Sequence, residues 1–455
     1  MLKRKAIDEL RKWRNQSQGR TALLIEGARR VGKSTLARQF AATEYRSFIE
    51  IDFDHVDDEV KAMFRDYATD LDSLFLYLST YFGVELYERE TVFLFDEVQR
   101  FPFVRGLVKY LVADGRYDYI ETGSLISIKQ NVDDIVIPSE EESMRLNPLD
   151  FEEFLWAMDE EALARLLREN YEKGCSLPDA LHKKASRLFR EYVLVGGMPH
   201  PLQVYVNERN FSPVDREKRL ILDLYRRDVA RFAKGYEHKV ISIFDQIPAQ
   251  LSKHEKRFSI TSLGKDARMR AYEEAFFWLG DAFIANLCYA SNDPSVGLSL
   301  NLESSSVKCY LADTGLLTTM VLADSARTDE SVYRAVLRGD IGLNEGMLME
   351  NVVAQSLVAQ GRKLYFYSQS GKHRGHGRLE IDFLITEGYA NAAGKPRLSP
   401  IEVKAARQYG TGSLDRLKEE YPKRVGLQYV ISPNPYRREG DRCYLPLYMA
   451  HLIAS

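Results

Sequence analysis

One segment constrains this chain more than any other: Gly27-Ala28-Arg29-Arg30-Val31-Gly32-Lys33-Ser34, which fits the pattern Gly-x4-Gly-Lys-Ser/Thr. It follows the apolar run TALLIE and precedes the amphipathic run STLARQF, so it reads as a strand, a tight loop and a helix. The glycines let successive backbone N–H groups converge on phosphate oxygens, where a Cβ would block the approach or φ is positive. The helix opening at Lys33, followed by Ser34 and Thr35, then turns its positive dipole end toward the anion. In this reading Lys33 reaches the β- and γ-phosphates and Ser34 completes a Mg²⁺ shell.

A second segment, Val92-Phe93-Leu94-Phe95-Asp96-Glu97, is an apolar strand that ends in two carboxylates. Asp96 is expected to hold Mg²⁺ through water, and Glu97 to orient or deprotonate the attacking water. A further strand ends in Glu121-Thr122-Gly123-Ser124, where Thr122 or Ser124 is placed to sense a γ-phosphate. No Asn-Lys-x-Asp element that would read guanine is present, so the expected ligand is ATP with Mg²⁺. Arg145, Arg226 and Arg227 are candidates for an arginine finger.

Around these motifs the first 125 or so residues alternate short apolar runs with amphipathic stretches, as β-α units about a mostly parallel sheet require. Four strands are expected in TALLIEG, YRSFIEID, TVFLFDE and YDYIETGS, with helices over 33–43, 71–87 and 103–114. The polar stretch 130–145 reads as a loop. From Pro148 to about residue 290 the pattern is helical. Residues 239–287 carry the succession of helix, short helix and long helix found in a winged-helix fold, with a basic side at Lys253, Lys256, Arg257, Lys265, Arg268 and Arg270. Beyond Lys308 the pattern is mixed, with strands in KCYLAD, KLYFYSQ, EIDFLIT, LSPIEVKA and LQYVIS and helices over 346–360 and 412–421.

Composition narrows the remaining classes. A chain of 455 residues exceeds one ordinary core and divides into several domains. A net charge of -3 gives no general basic field for nucleic acid. No apolar run is long enough to span a bilayer, so no membrane partner is expected and the expected location is the cytoplasm. Cys175, Cys288, Cys309 and Cys443 are scattered without a CxxC pair and read as reduced thiols.

With these residues identified, the chain resembles a widespread group of bacterial and archaeal AAA-superfamily ATP-binding proteins with a C-terminal domain of unknown function built on a nuclease-like core. The resemblance rests on GARRVGKST, FLFDEVQR, TGSLIS, LNPLDFEEFL, YVLVGGMP, YLADTGLL, ENVVAQ, EIDFLI and IEVKA, and runs from about residue 5 to 435. It implies an α/β architecture. The parts are an AAA-type P-loop domain over 1–145 with Walker A and B motifs, a helical domain over 146–236, a winged-helix-like domain over 237–305, and a restriction-endonuclease-like PD-(D/E)XK domain over 306–455.

In that last region Asp382 falls on one strand and Glu402-Val-Lys404 on the next, with Glu402 and Lys404 on one face. Two carboxylates there could share a Mg²⁺ while Lys404 stabilises charge, as phosphodiester hydrolysis requires. Glu350 matches the helical acid of the nuclease signature, and Glu380 shares a face with Asp382. The basic loop 372–378 (KHRGHGR, with His373 and His376) could meet a nucleic-acid backbone. The leading expectation is an ATP-driven switch. The alternatives are an ATP-regulated enzyme that binds or cuts DNA, and a regulatory ATP-binding interaction protein with little turnover.

Overall fold

In a computed structural model of the chain, the described residues are 2–123, 139–253, 255–265, 267–323, 327–369, 379–386 and 397–453. They divide into two units: one comprises 3–147 with 281–283, and the other 148–280 and 284–455 with the first two residues. Among the described residues no helix is long and apolar enough to cross a membrane.

The first unit is built on a five-stranded sheet of β1 (Ala22–Glu26), β2 (Ser47–Asp52), β3 (Thr91–Asp96), β4 (Asp118–Thr122) and β5 (Glu141–Arg145). All neighbours are parallel, in the order β2-β3-β4-β1-β5. Every residue of β3 and β4 is buried, as in strands covered on both faces; β3 is a near-continuous apolar run, while β4 buries Asp118, Glu121 and Thr122. Phe93 and Phe95 carry an aromatic core through Tyr119, Phe53 and Phe64, which packs under the strand ends. Helices run over Lys33–Glu44, Leu71–Phe82 and Pro102–Asp114, close to the expected bounds.

One sequence expectation fails here. The end of the polar stretch, Glu141-Glu142-Ser143-Met144-Arg145, is a strand and not a loop. It lies at the sheet edge, pairs with β1 through all five residues, and buries Met144 alone to under a tenth, so it carries no apolar signature. Ser124 and most of 130–145 lie outside the described residues.

The second unit begins with helices. Asp150 caps Phe151–Ala157, accepting from the Glu153 N–H while the Glu153 carboxylate accepts from the Asp150 N–H. Further helices are Glu161–Lys173, Asp179–Val195, Pro199–Glu208, Phe211–Phe232 and Glu237–Leu251. An eight-stranded mixed sheet follows: β6 (Ala285–Ser291), β7 (Leu302–Leu311), β8 (Leu364–Gln369), β9 (Leu379–Thr386), β10 (Leu398–Val403), β11 (Gln428–Ser432), β12 (Arg437–Glu439) and β13 (Arg442–Pro446), ordered β12-β13-β11-β10-β9-β8-β6-β7. The helix Glu345–Ala359 packs on β6, β7, β8 and β10 and is buried along nearly its whole length.

The segment 237–305 differs from the expected helix succession. Between Leu251 and Glu273 the described residues form two 3-10 turns, Ile260–Ser262 and Met269–Ala271, in a stretch dominated by charged residues with no helical apolar period. The hairpin β6–β7 that follows is the edge of the eight-stranded sheet, and the expected boundary at 305/306 falls inside β7. A strand pair hydrogen-bonded into a larger sheet folds with it.

Candidate functional site

The loop after β1 has the backbone its sequence demands. Gly27 has φ +151° and Gly32, which precedes the helix Lys33–Glu44, has φ +97°. Arg30 takes φ +68°, unusual for a residue with a Cβ, and the loop is closed by the Val31 N–H donating to the Ala28 carbonyl at 3.3 Å. A Cβ on Gly27 would crowd the Leu146 carbonyl. Ala28 and Val31 point inward and are buried, whereas Arg29, Arg30 and Thr35 are exposed. The Lys33 ammonium folds over the loop and donates to the Gly27 and Ala28 carbonyls at 3.0 and 3.1 Å.

Strand order brings the other residues to this loop. β4 lies between β1 and β3, so the carboxyl ends of all three strands meet beside the helix Lys33–Glu44. Asp96, at the end of β3, is 9% exposed. Its Oδ1 accepts from the Ser34 hydroxyl at 2.8 Å and from the Thr122 hydroxyl. Glu97 follows in the left-handed region at φ +53° and accepts from the Gln99 amide. Gln99 was not singled out by sequence, because its position two residues past Glu97 has meaning only once the turn Val98–Arg100 is seen.

The donor chemistry fits magnesium: the Ser34 hydroxyl and the Asp96 carboxylate, 2.8 Å apart, are hard oxygen donors of the kind that Mg²⁺ takes directly or through its waters. Of the finger candidates, Arg145 is exposed at the end of β5, with its guanidinium 4.6 Å from the Phe283 ring centre. Arg226 is paired with Asp245 at 2.9 Å, and Arg227 is exposed; both belong to the second unit.

The second unit brings its acids together across β9 and β10. The register Ile401 to Phe383 sets Asp382 beside Glu402, and Asp382 Oδ2 accepts from the Val403 N–H at 2.8 Å. Glu402 is buried and pairs with Lys404 at 2.9 Å. The other carboxylates converge on a cation: Lys308 on β7 lies 3.2 Å from Glu350, 3.2 Å from Glu380 and 3.8 Å from Asp382. Lys256 and the Tyr310 hydroxyl also donate to Glu350.

Burial pushes the Glu350 carboxyl up, but Lys308 and Lys256 outweigh it and hold it down to about 2. Burial, with Glu350 nearby, raises Asp382 to about 6. Among the described residues no three His, Cys, Asp or Glu side chains are placed to hold a metal ion. The carboxylates expected to share Mg²⁺, those of Asp382, Glu402 and Glu350, each face a lysine ammonium: Lys308 for Asp382 and Glu350, and Lys404 for Glu402. Lys308 was missed by sequence because a lysine on an apolar strand shows no partner until the sheet is assembled.

Of the basic residues expected on one side of 237–305, Lys256 and Lys253 turn to Glu350 and to Gln250 Oε1. The loop 372–378 lies outside the described residues.

The family comparisons can be set on this geometry. The AAA domain family matches residues 19–155. The matched stretch encloses the whole phosphate loop, Asp96, Glu97 and Thr122, and it supports an ATP-binding P-loop ATPase of AAA type. Two domains of unknown function, DUF8612 and DUF4143, match 186–327 and 345–449.

None of the curated proteins matches the chain. The solved structures that it resembles include two archaeal ATPases. The Walker-type ATPase PABY2304 of Pyrococcus abyssi is 16% identical with a TM-score of 0.42, covering 70% of this chain and 96% of its own. A signal transduction ATPase with numerous domains and a tetratricopeptide repeat sensor, PH0952 from Pyrococcus horikoshii, is 11% identical with a TM-score of 0.25, covering 79% and 46%.

Proposed function

We propose that the chain is an ATP-driven switch whose AAA domain hydrolyses Mg-ATP. The observation that carries this reading is the single Asp96 oxygen that accepts from both Ser34 and Thr122 at the mouth of the phosphate loop. Magnesium bound there would neutralise the phosphate tail. Lys33, now satisfied by two loop carbonyls, is positioned to exchange them for phosphate oxygens. Thr122 ends the strand between β1 and β3, so its hydroxyl can register a γ-phosphate. Glu97, held by Gln99, orients the attacking water and accepts its proton.

The switch reading draws on the chain segment at which the first unit ends. The Leu146 N–H donates to the Glu26 carbonyl at 2.7 Å, one residue before the phosphate loop. Three residues on, the Leu149 N–H donates to the Gly197 carbonyl at 2.8 Å and the Leu149 carbonyl accepts from Tyr192. A shift of the loop on nucleotide binding therefore pulls on a short, pinned segment. Tyr192, Gly197, Asp313, Thr314 and Gln355 form one buried hydrogen-bonded node around its far end.

The test is calorimetry and turnover on the full chain. Lys33→Ala should abolish ATP binding, while Glu97→Gln should retain it and lose about 10²-fold or more in turnover. With ATP on the Glu97→Gln protein, amide exchange at Leu149 should change. A Glu97-independent rate removes the hydrolytic assignment, and unchanged exchange at Leu149 removes the switch.

A further inference from the structure

β10, β11 and β13 are parallel to one another. Their carboxyl ends open on one cavity of about 300 Å³, lined at Ala405 just past β10, Pro433 just past β11 and Leu447 just past β13. The space beyond the carboxyl ends of parallel strands is where open α/β sheets bind ligands, because the connecting loops diverge there and leave a crevice. The volume is at the small end of ligand sites.

The lining has two parts. Phe189, Met349 and Tyr448 are buried and form an apolar wall. Tyr448 is held in place by a hydrogen bond between its hydroxyl and His182 Nδ1 at 2.9 Å. At the mouth stand Arg190 and Arg407, both exposed. Arg407 is anchored through its backbone, whose carbonyl accepts from the Asn434 amide at 2.9 Å.

Among the described residues neither guanidinium has an ion pair or a side-chain hydrogen bond. That is notable in a unit where Lys308, Arg219 and Arg442 all have acidic partners. Among the described lining residues Glu345 is the one carboxylate, and no ion pair joins it to either arginine.

We propose that this cavity binds a small organic anion, with one phosphate or carboxylate at Arg190 and Arg407 and an apolar or aromatic body against Phe189 and Tyr448. Planar guanidiniums match such oxyanions in bidentate fashion, and the wall supplies the burial that an inorganic ion lacks. Glu345 opposes the anion and limits its charge. The site shares no residue with the Lys308 cluster or with the phosphate loop.

Phenyl phosphate is the probe, titrated by calorimetry into the full-length Lys33→Ala protein so that the phosphate loop cannot answer for the signal. We expect one equivalent to bind, more tightly than inorganic phosphate or phenol. Arg190→Gln with Arg407→Gln should raise Kd at least about tenfold, and Glu345→Gln should lower it. Met349→Trp, which fills the cavity and leaves both charges, should also abolish binding. No binding of phenyl phosphate at millimolar concentration, or binding that survives both the double arginine variant and Met349→Trp, overturns the proposal.

Discussion

The Lys308 ammonium stands 3.2 Å from Glu350 within a buried cluster, where both side chains are almost wholly removed from solvent. Breaking such a pair from one side leaves a charge without compensation, at about 3–5 kcal/mol, far above an exposed pair. Lys308→Met should therefore lower stability by that order in urea unfolding of the full chain. Adding Glu350→Gln should return part of the loss. A single-variant loss below about 1 kcal/mol would mean that the cluster is effectively solvated.

The backbone node around Gly197 makes a second prediction. A Cβ on Gly197 would lie 2.8 Å from the Leu149 nitrogen and nearer still to its carbonyl oxygen, so the two chain segments would have to separate. Overpacking against backbone costs about 1–3 kcal/mol. Gly197→Ala should lower Tm, whereas Gly106→Ala, at an exposed helical position with nothing within 4 Å, should raise it slightly. Equal shifts for the two variants would refute the close-approach argument.

These two examples show what the sequence made legible. The phosphate loop, the Asp96-Glu97 strand end and Thr122 could be read because the chemistry is local: apolar strands, glycines and charged ends occur within a few residues. In the second unit β7 to β11 were readable from apolar period, whereas β6 falls in a stretch that reads as helical and the short β12 and β13 give no separate signal. Three further features were not legible. The edge strand β5 is polar on its open side, so nothing separates it from a loop. The 3-10 turns between Leu251 and Glu273 replace an expected helix, because charge spacing alone does not distinguish them. The partners of Glu350 and Asp382 come from Lys308, on a strand about forty residues or more away in sequence, and only sheet pairing brings them together.

Burial makes a third prediction, about pH. Glu121 is fully buried beside Arg105, which lies 3.4 Å from it and 2.5 Å from Glu141. Desolvation, reinforced by the Glu141 charge and only partly offset by Arg105, raises the Glu121 carboxyl from 4.5 to about 8. The folded state therefore holds a proton that the unfolded chain releases. This contribution to stability is complete below about 4.5 and is lost as pH rises through about 8. Glu121→Gln keeps the neutral shape and should flatten that part of the profile, gaining on wild type as pH climbs from 6 toward 8. Thermal melts across that range decide it; parallel curves for the two proteins would show that Glu121 is already ionised when folded.

The last prediction concerns how Glu97 is aimed. At φ +53° its backbone sits in a region that residues with a Cβ seldom occupy, and the Gln99 amide donates to its carboxylate across the following turn. Because that hydrogen bond fixes direction and not charge, Gln99 acts as a positioning residue for the proposed base. Misplacing a reacting group by about 1 Å can cost 10²-fold in rate without touching binding. Gln99→Leu should accordingly lower kcat by about 10–10²-fold while ATP affinity, set by Lys33, Ser34 and the loop amides, stays unchanged. Gln99→Asn, which keeps the amide on a shorter arm, should recover part of the rate. If Gln99→Leu weakened ATP binding and left kcat intact, Gln99 would be shaping the nucleotide pocket and the assignment of Glu97 as the aimed base would lose its geometric support.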